Sequence, residues 1–197
     1  MEPVLVIACA ALGRELHAIR RAGGWDHIRI RCLDAALHLR PTEIAPLLRA
    51  ELEQANGQYR RVFVAYADCG TYGGIDRVLA DHPGVERLPG LTCYEVFAGT
   101  GRMARLAKDE PGTFYLTDFL VRFFDRLVID ALGLGRHPEL VDAYFGNYRR
   151  MTYLSQTQDP SLLADAQAAA VRLGLEFRHI HTGYGALNAG IARIAAG

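Results

Sequence analysis

The chain has 197 residues, 50% of them hydrophobic and 22% charged, which is ordinary globular usage and excludes a disordered chain. Lys plus Arg and Asp plus Glu both number 22, so a formal charge of zero argues against a global field for nucleic acid or an anionic membrane. The apolar run from Val4 to Ala11 is too short for a signal-peptide core, and no stretch approaches the ~20 apolar residues of a membrane helix. The expected setting is therefore soluble and cytoplasmic. There the four cysteines read as packing groups, metal ligands or catalysts rather than disulfides.

Strand and helix signals alternate from the start. Val4 to Ala8 is a buried-strand run, and Ala10 to Ala22 has helical composition ending at Gly23-Gly24. Ile28 to Leu33 alternates as a half-buried strand. Pro41-Thr42 opens an amphipathic helix carrying Ile44, Leu47, Leu48 and Leu52 and ending near Gly57. Arg61 to Tyr66 is a strand followed by a glycine-rich loop, and Ile75 to His82 a short helix stopped by Pro83-Gly84. Val85 to Leu88 reads as a short strand, Cys93 to Leu106 as one helix and Thr113 to Leu116 as a strand. Phe119 to Leu132 and Pro138 to Phe145 have helical spacing. The last third repeats the alternation: strand Arg150 to Leu154, a helix from Asp159-Pro160 to Leu173-Gly174, strand Leu175 to Ile180 and helix Ala186 to Ala195. This pattern predicts an α/β fold, a mainly parallel sheet with helices on both faces, in a single layered domain over residues 1–197.

Such sheets bind ligands beyond the carboxyl ends of their strands. Cys9 ends the first strand, Cys69 follows Tyr66 by three residues, and Cys93 precedes Tyr94-Glu95 at a helix start. A thiol near a helix N-terminus feels the positive end of the dipole, which favours the thiolate, the nucleophilic and metal-binding form. Adjacent strands would bring these three sulfurs together as zinc ligands or as three corners of an iron–sulfur cluster. Equally, each can be a separate packing group. Cys32, inside a strand, reads as a buried structural thiol.

The loop Asp68-Cys69-Gly70-Thr71-Tyr72-Gly73-Gly74 is neither a Walker A loop nor a dinucleotide fingerprint. Gly70, Gly73 and Gly74 allow either an amide cradle for a cofactor's anionic group or a plain tight turn. Asp68 can bind a metal, move a proton or fix that turn, and Glu95 is the second candidate for proton transfer. His38, in the loop before a helix, offers a fourth ligand or a general base, against the alternative of a bond to a backbone carbonyl. Arg14 and Tyr94 are candidate cofactor contacts, with a surface ion pair and core packing as their structural alternatives. His179 and His181 share one strand face, and Thr117-Asp118 is placed to cap a helix.

The ordered set Ala8-Cys9, Arg14-Glu15, Leu37-His38-x-x-Pro41, Tyr66-x-Asp68-Cys69-Gly70, Cys93-Tyr94-Glu95 and Pro111 to Thr117 resembles the family called domain of unknown function 1638. The resemblance covers most of the chain and favours a subgroup with Cys-Tyr-Glu; other members carry His-Asp-Cys around the third cysteine, a histidine absent here. It implies a setting beside corrinoid-dependent methyltransferases of methylated-amine metabolism. The leading expectation is a metal- or iron–sulfur-binding protein of corrinoid-linked or one-carbon metabolism, enzyme or accessory factor. Cys9, Cys69 and Cys93 would be its ligands, with His38 or an exogenous group completing the site, acting on a small-molecule substrate, with a corrinoid protein or methyltransferase as partner. The alternatives are a metal-free thiol enzyme with Cys69 as nucleophile, activated by His38 or Asp68, and a noncatalytic partner of a corrinoid methyltransferase system.

Overall fold

The computed structural model describes residues 2–196, which divide into two compact units. One holds the chain up to Gly99 together with the segment from Tyr184 on, and the other is Thr100–Gly183. Every strand pairing is parallel, as the alternation predicts, but the strands form two sheets, of four and three strands, rather than one.

In the first unit the sheet order is β2-β1-β3-β4, with β1 at Val4–Cys9, β2 at Ile28–Leu33, β3 at Arg61–Ala65 and β4 at Glu86–Arg87. All six residues of β1 are buried, which is why its sequence runs apolar without alternation. Val4, Val6 and Ala8 point to one face, covered by α1 (Gly13–Ala22), α4 (Cys93–Ala98) and α9 (Gly185–Ala196). Leu5, Ile7 and Cys9 point to the other, covered by α2 (Ile44–Ala55) and α3 (Gly74–Ala80). Helices thus lie on both faces. The register pairs Ala8 with Ala65, so that Cys9 runs level with Tyr66, and both lie on the α2/α3 face.

In the second unit the order is β5-β6-β7, with β5 at Thr113–Leu116, β6 at Arg150–Ser155 and β7 at Glu176–His181. Met151 and Tyr153 of β6 pack under Leu162, Ala166 and Ala170 of α8 (Pro160–Arg172). The same core takes Val121 of α6 (Asp118–Arg122) and Phe145 of α7 (Leu140–Phe145). The helix expected over Cys93 to Leu106 is two helices: Gly99, at φ +84°, separates α4 from α5 (Thr100–Asp109). That expected over Phe119 to Leu132 is likewise divided, into α6 and a π-helical turn at Asp125–Asp130.

Candidate functional site: thiols at the strand ends

The first unit gathers the sequence-predicted cysteines at the carboxyl end of its sheet. Cys9 closes β1 and caps a short 3-10 turn, its Sγ accepting from the Ala11 amide at 3.3 Å. Cys69 follows β3, with its amide donating to the Leu91 carbonyl at 2.8 Å, while the Asp68 amide donates to Gly90 at 3.0 Å. These two bonds tie the loop after β3 to the segment leading into α4, and so bring Cys69 towards Cys93. The thiols lie within electrostatic reach of one another: Cys93 feels Cys69 and Cys9, and Cys9 feels Cys69 and Cys32.

Burial governs their ionisation. It pushes Cys9 up to about 12, opposed by the Ala11 amide and reinforced by Cys69. It pushes Cys69 up to about 11, opposed by the backbone of Ala67. Cys93 is raised as well, by burial first and then by Cys69 and Cys9. The expected helix-terminus lowering is therefore overturned: a capping bond and two helix-start amides do not offset removal of three sulfurs from water. At neutral pH all three are thiols.

The loop between β3 and α3 is bent more sharply than its glycines require. Gly70 and Gly73 have φ +80° and +77°, but Cys69 and Tyr72 also adopt the left-handed region, each at φ 51°. For residues with a Cβ this costs of order 1 kcal/mol apiece. Asp68 holds the bend, accepting from the Thr71 hydroxyl at 2.9 Å, the Tyr72 amide at 3.0 Å and the Gly73 amide at 2.7 Å. Burial alone would raise its pKa, but those donors and the Arg87 charge hold it below the usual carboxylate range. Gly70 sits against Pro41, and Gly74 starts α3 with Thr71 and Ala45 crowding the place a Cβ would take. Arg87, which the sequence reading missed, clamps Asp76 at 2.6 and 2.8 Å and donates to the Leu88 carbonyl at 2.8 Å, bracing the Gly90 turn. Its signal is nonlocal, since its partner lies on the neighbouring helix.

Glu95 completes the third loop. Its Oε2 accepts from the Leu91 amide at 2.9 Å, and Thr92 caps α4 by accepting from the Glu95 amide. His38 lies in a 3-10 turn at Ala35–Leu39, its Nδ1 3.0 Å from the Ala35 carbonyl and 3.7 Å from Cys9 Sγ. The carbonyl can only accept, so Nδ1 carries the proton. Arg14 is exposed in the first turn of α1 and Tyr94 half-buried in that of α4. Cys32 corrects the sequence reading: β2 is an edge strand and Cys32 is exposed, although its Sγ lies 3.6 Å from where a Cβ on Gly13 would be.

Tyr66 is the least expected neighbour. It is 1% exposed, with its hydroxyl against the Cys9 thiol. That hydroxyl interacts with Cys9, Cys69 and Cys32, which with burial raise its pKa. Around the thiols three exposed apolar side chains stand out from three different loops: Leu39 (67%), Tyr72 (90%) and Leu91 (66%). Among the described residues no group of three or more His, Cys, Asp or Glu side chains is arranged to hold a metal ion as it stands.

The second unit has its own polar cluster at the same end of its sheet. Ser155, which ends β6, lies 2.9 Å from His179 Nε2 and 3.0 Å from His181 Nδ1. Asp118, 1% exposed, accepts from the Tyr153 hydroxyl and the Gln156 and Thr157 amides.

The fold and these strand-end thiols define a parallel α/β protein with one buried and two half-buried cysteines at the carboxyl end of one sheet. Residues 32–191 match the family model described as protein of unknown function (DUF1638), and the chain belongs to that family. No curated protein and no solved structure matches it.

Proposed function

We propose that Cys9, Cys69 and Cys93 bind, as thiolates, a zinc ion or an iron–sulfur cluster in a protein of corrinoid-linked or one-carbon metabolism. The observation that carries this reading is that three separate strand-end loops each present a thiol at the same end of one sheet, two of them tied together by the Cys69–Leu91 and Asp68–Gly90 backbone bonds. Packing needs no such convergence. Three neighbouring thiolates repel one another in a desolvated place, and a soft cation is the group that reverses the sign of that interaction. An all-sulfur donor set suits zinc or iron rather than magnesium or calcium.

When bound, with one position open, the metal or cluster would polarise a small sulfur-, nitrogen- or oxygen-containing substrate. The chain's own residues have these tasks. The three cysteines bind, and Asp68 and Glu95 hold the two loops that carry Cys69 and Cys93. His38 presents its protonated Nδ1 towards Cys9, which leaves the fourth position to an exogenous group. Arg14, exposed at the start of α1, and Tyr94, half-buried at the start of α4, would contact the bound group, and exposed Leu39, Tyr72 and Leu91 offer apolar contact to a macromolecular partner.

The metal-free reading has less support. Cys69 is pushed up to about 11, His38 faces Cys9, and both Asp68 oxygens are committed to the loop. Metal analysis after anaerobic purification tests the proposal. Near-stoichiometric zinc or iron is expected in the wild type and should be lost from a folded Cys9→Ser/Cys69→Ser/Cys93→Ser variant. Folded wild-type protein with less than about a tenth of an equivalent, even after reconstitution, would refute it.

A further inference from the structure

We propose that the second unit holds a binding site for a small carboxylate with an apolar body, in the cleft between α8 and the chain from Val121 to Arg126. The proposal is independent of the thiol site, whose residues all lie in the first unit.

Local backbone makes the cleft. α6 ends at Phe123, whose φ of −118° and ψ of 22° are not helical, and the chain then winds into the wider π-helical turn at Asp125–Asp130. Turns of this kind recur at functional sites. Against α8 they leave a cleft of about 480 Å³, within the range of small-molecule sites. Val121, Phe124 and Ala169 line it and are buried, which gives it an apolar floor.

Two guanidiniums in the lining have no hydrogen-bonded carboxylate among the described residues. The Arg122 side chain is 26% exposed, its Nε is buried without a hydrogen bond, and Asp159 comes no closer than 3.9 Å. That aspartate is already committed to capping α8 through Ser161. Packing of the arginine stem alone would leave the charged head in water, whereas here part of the head is out of it. Arg126 stacks on Phe123, 4.8 Å from the ring centroid, and no carboxylate lies within ion-pair range of it. Stacking occupies the face of a guanidinium and leaves its in-plane N–H groups to grip an oxyanion through two parallel bonds. Arg172, by contrast, is paired with Asp125. Asp165 of α8 sets the charge of the ligand. It opposes two guanidiniums with one carboxylate, which suits a monoanion better than a phosphate dianion.

Benzoate is the probe, with a ring for the floor and a carboxylate for the guanidiniums. Titrated into the full chain and followed by calorimetry and amide NMR, it should bind saturably and more weakly as salt is added. The largest shifts should fall in residues 121–126 and 165–172. Arg122→Gln and Arg126→Gln should each weaken binding about 10-fold or more. Phenyl phosphate, ionised to the dianion, should bind more weakly than benzoate to the wild type and gain affinity in Asp165→Asn. Should Arg122→Gln fail to fold, Arg126→Gln and Asp165→Asn change exposed positions and still decide the matter. No saturation at about 10 mM benzoate would overturn the site. So would shifts confined to other residues, or equal affinity in wild type and Arg126→Gln. Tighter binding of phenyl phosphate than of benzoate by the wild type would overturn the ligand class.

Discussion

Asp118 shows how a side chain with an ordinary local role takes on a larger one. The sequence places Thr117-Asp118 as a helix cap, and Thr117 does cap α6, accepting from the Leu120 amide at 3.3 Å. Asp118 instead reaches across to the end of β6, taking four donors from Tyr153, Gln156 and Thr157. Replacing it with Asn turns one acceptor oxygen into a donor that faces donors, so a buried bond is lost and another group is left unpaired. Asp118→Asn should cost about 2–3 kcal/mol of stability in denaturant unfolding. A loss within about 0.5 kcal/mol would show the clamp to be dispensable. Asp68 follows the same logic in the first unit. In both cases residue type and strand-end position are legible in the sequence, but the partners are not, because they lie on other elements. For the cysteines, positions at loop starts are readable, while burial, which decides the charge of Cys9 and Cys69 and leaves Cys32 exposed on an edge strand, depends on the whole fold.

At the scale of elements, apolar runs and turn residues locate every strand to within a residue or two, because β1 throughout and β6 from Met151 on are buried and cannot alternate. Helix continuity was harder to read. The stretch from Cys93 to Leu106 has helical spacing, yet Gly99 adopts a backbone conformation no helix contains, and α4 ends there. The break lets α4 stay short and pack its end against α9. Gly185, at φ +49°, starts α9 where an added Cβ would lie 2.3 Å from the Phe97 carbonyl oxygen and 2.4 Å from that of Val96. Backbone cannot yield as a side-chain tip can. Gly185→Ala should therefore destabilise by about 2 kcal/mol or more, with hydrogen exchange rising first in α4, the helix that carries Cys93. Uniform exchange across the first unit, with α4 unaffected, would show that the contact is relieved elsewhere.

For the whole molecule, the division into two sheets is what the alternation of strands and helices could not reveal. Each unit repeats the same local pattern, and which strands pair is a property of tertiary packing. The two units should also respond to pH from opposite sides. In the first, Cys9 and Cys69 have folded pKa values raised above the ordinary 9.0, to about 12 and about 11. Their contribution is fully present below pH 9.0 and is lost as pH rises through the folded values, because the unfolded chain releases those protons first. In the second, burial and the charge of His181 depress His179 below 6.5, partly offset by Asp118. The unfolded histidine then binds a proton before the folded one does, so this contribution is present above pH 6.5 and declines as pH falls below it. Metal-free protein should be most stable between these limits. Hydrogen exchange resolved by segment should show residues of β1 and β3 losing protection on the alkaline side and those of β6 and β7 on the acid side. Loss of both sets together on both sides would mean that the units unfold as one, and the separate assignment of the limbs would fail.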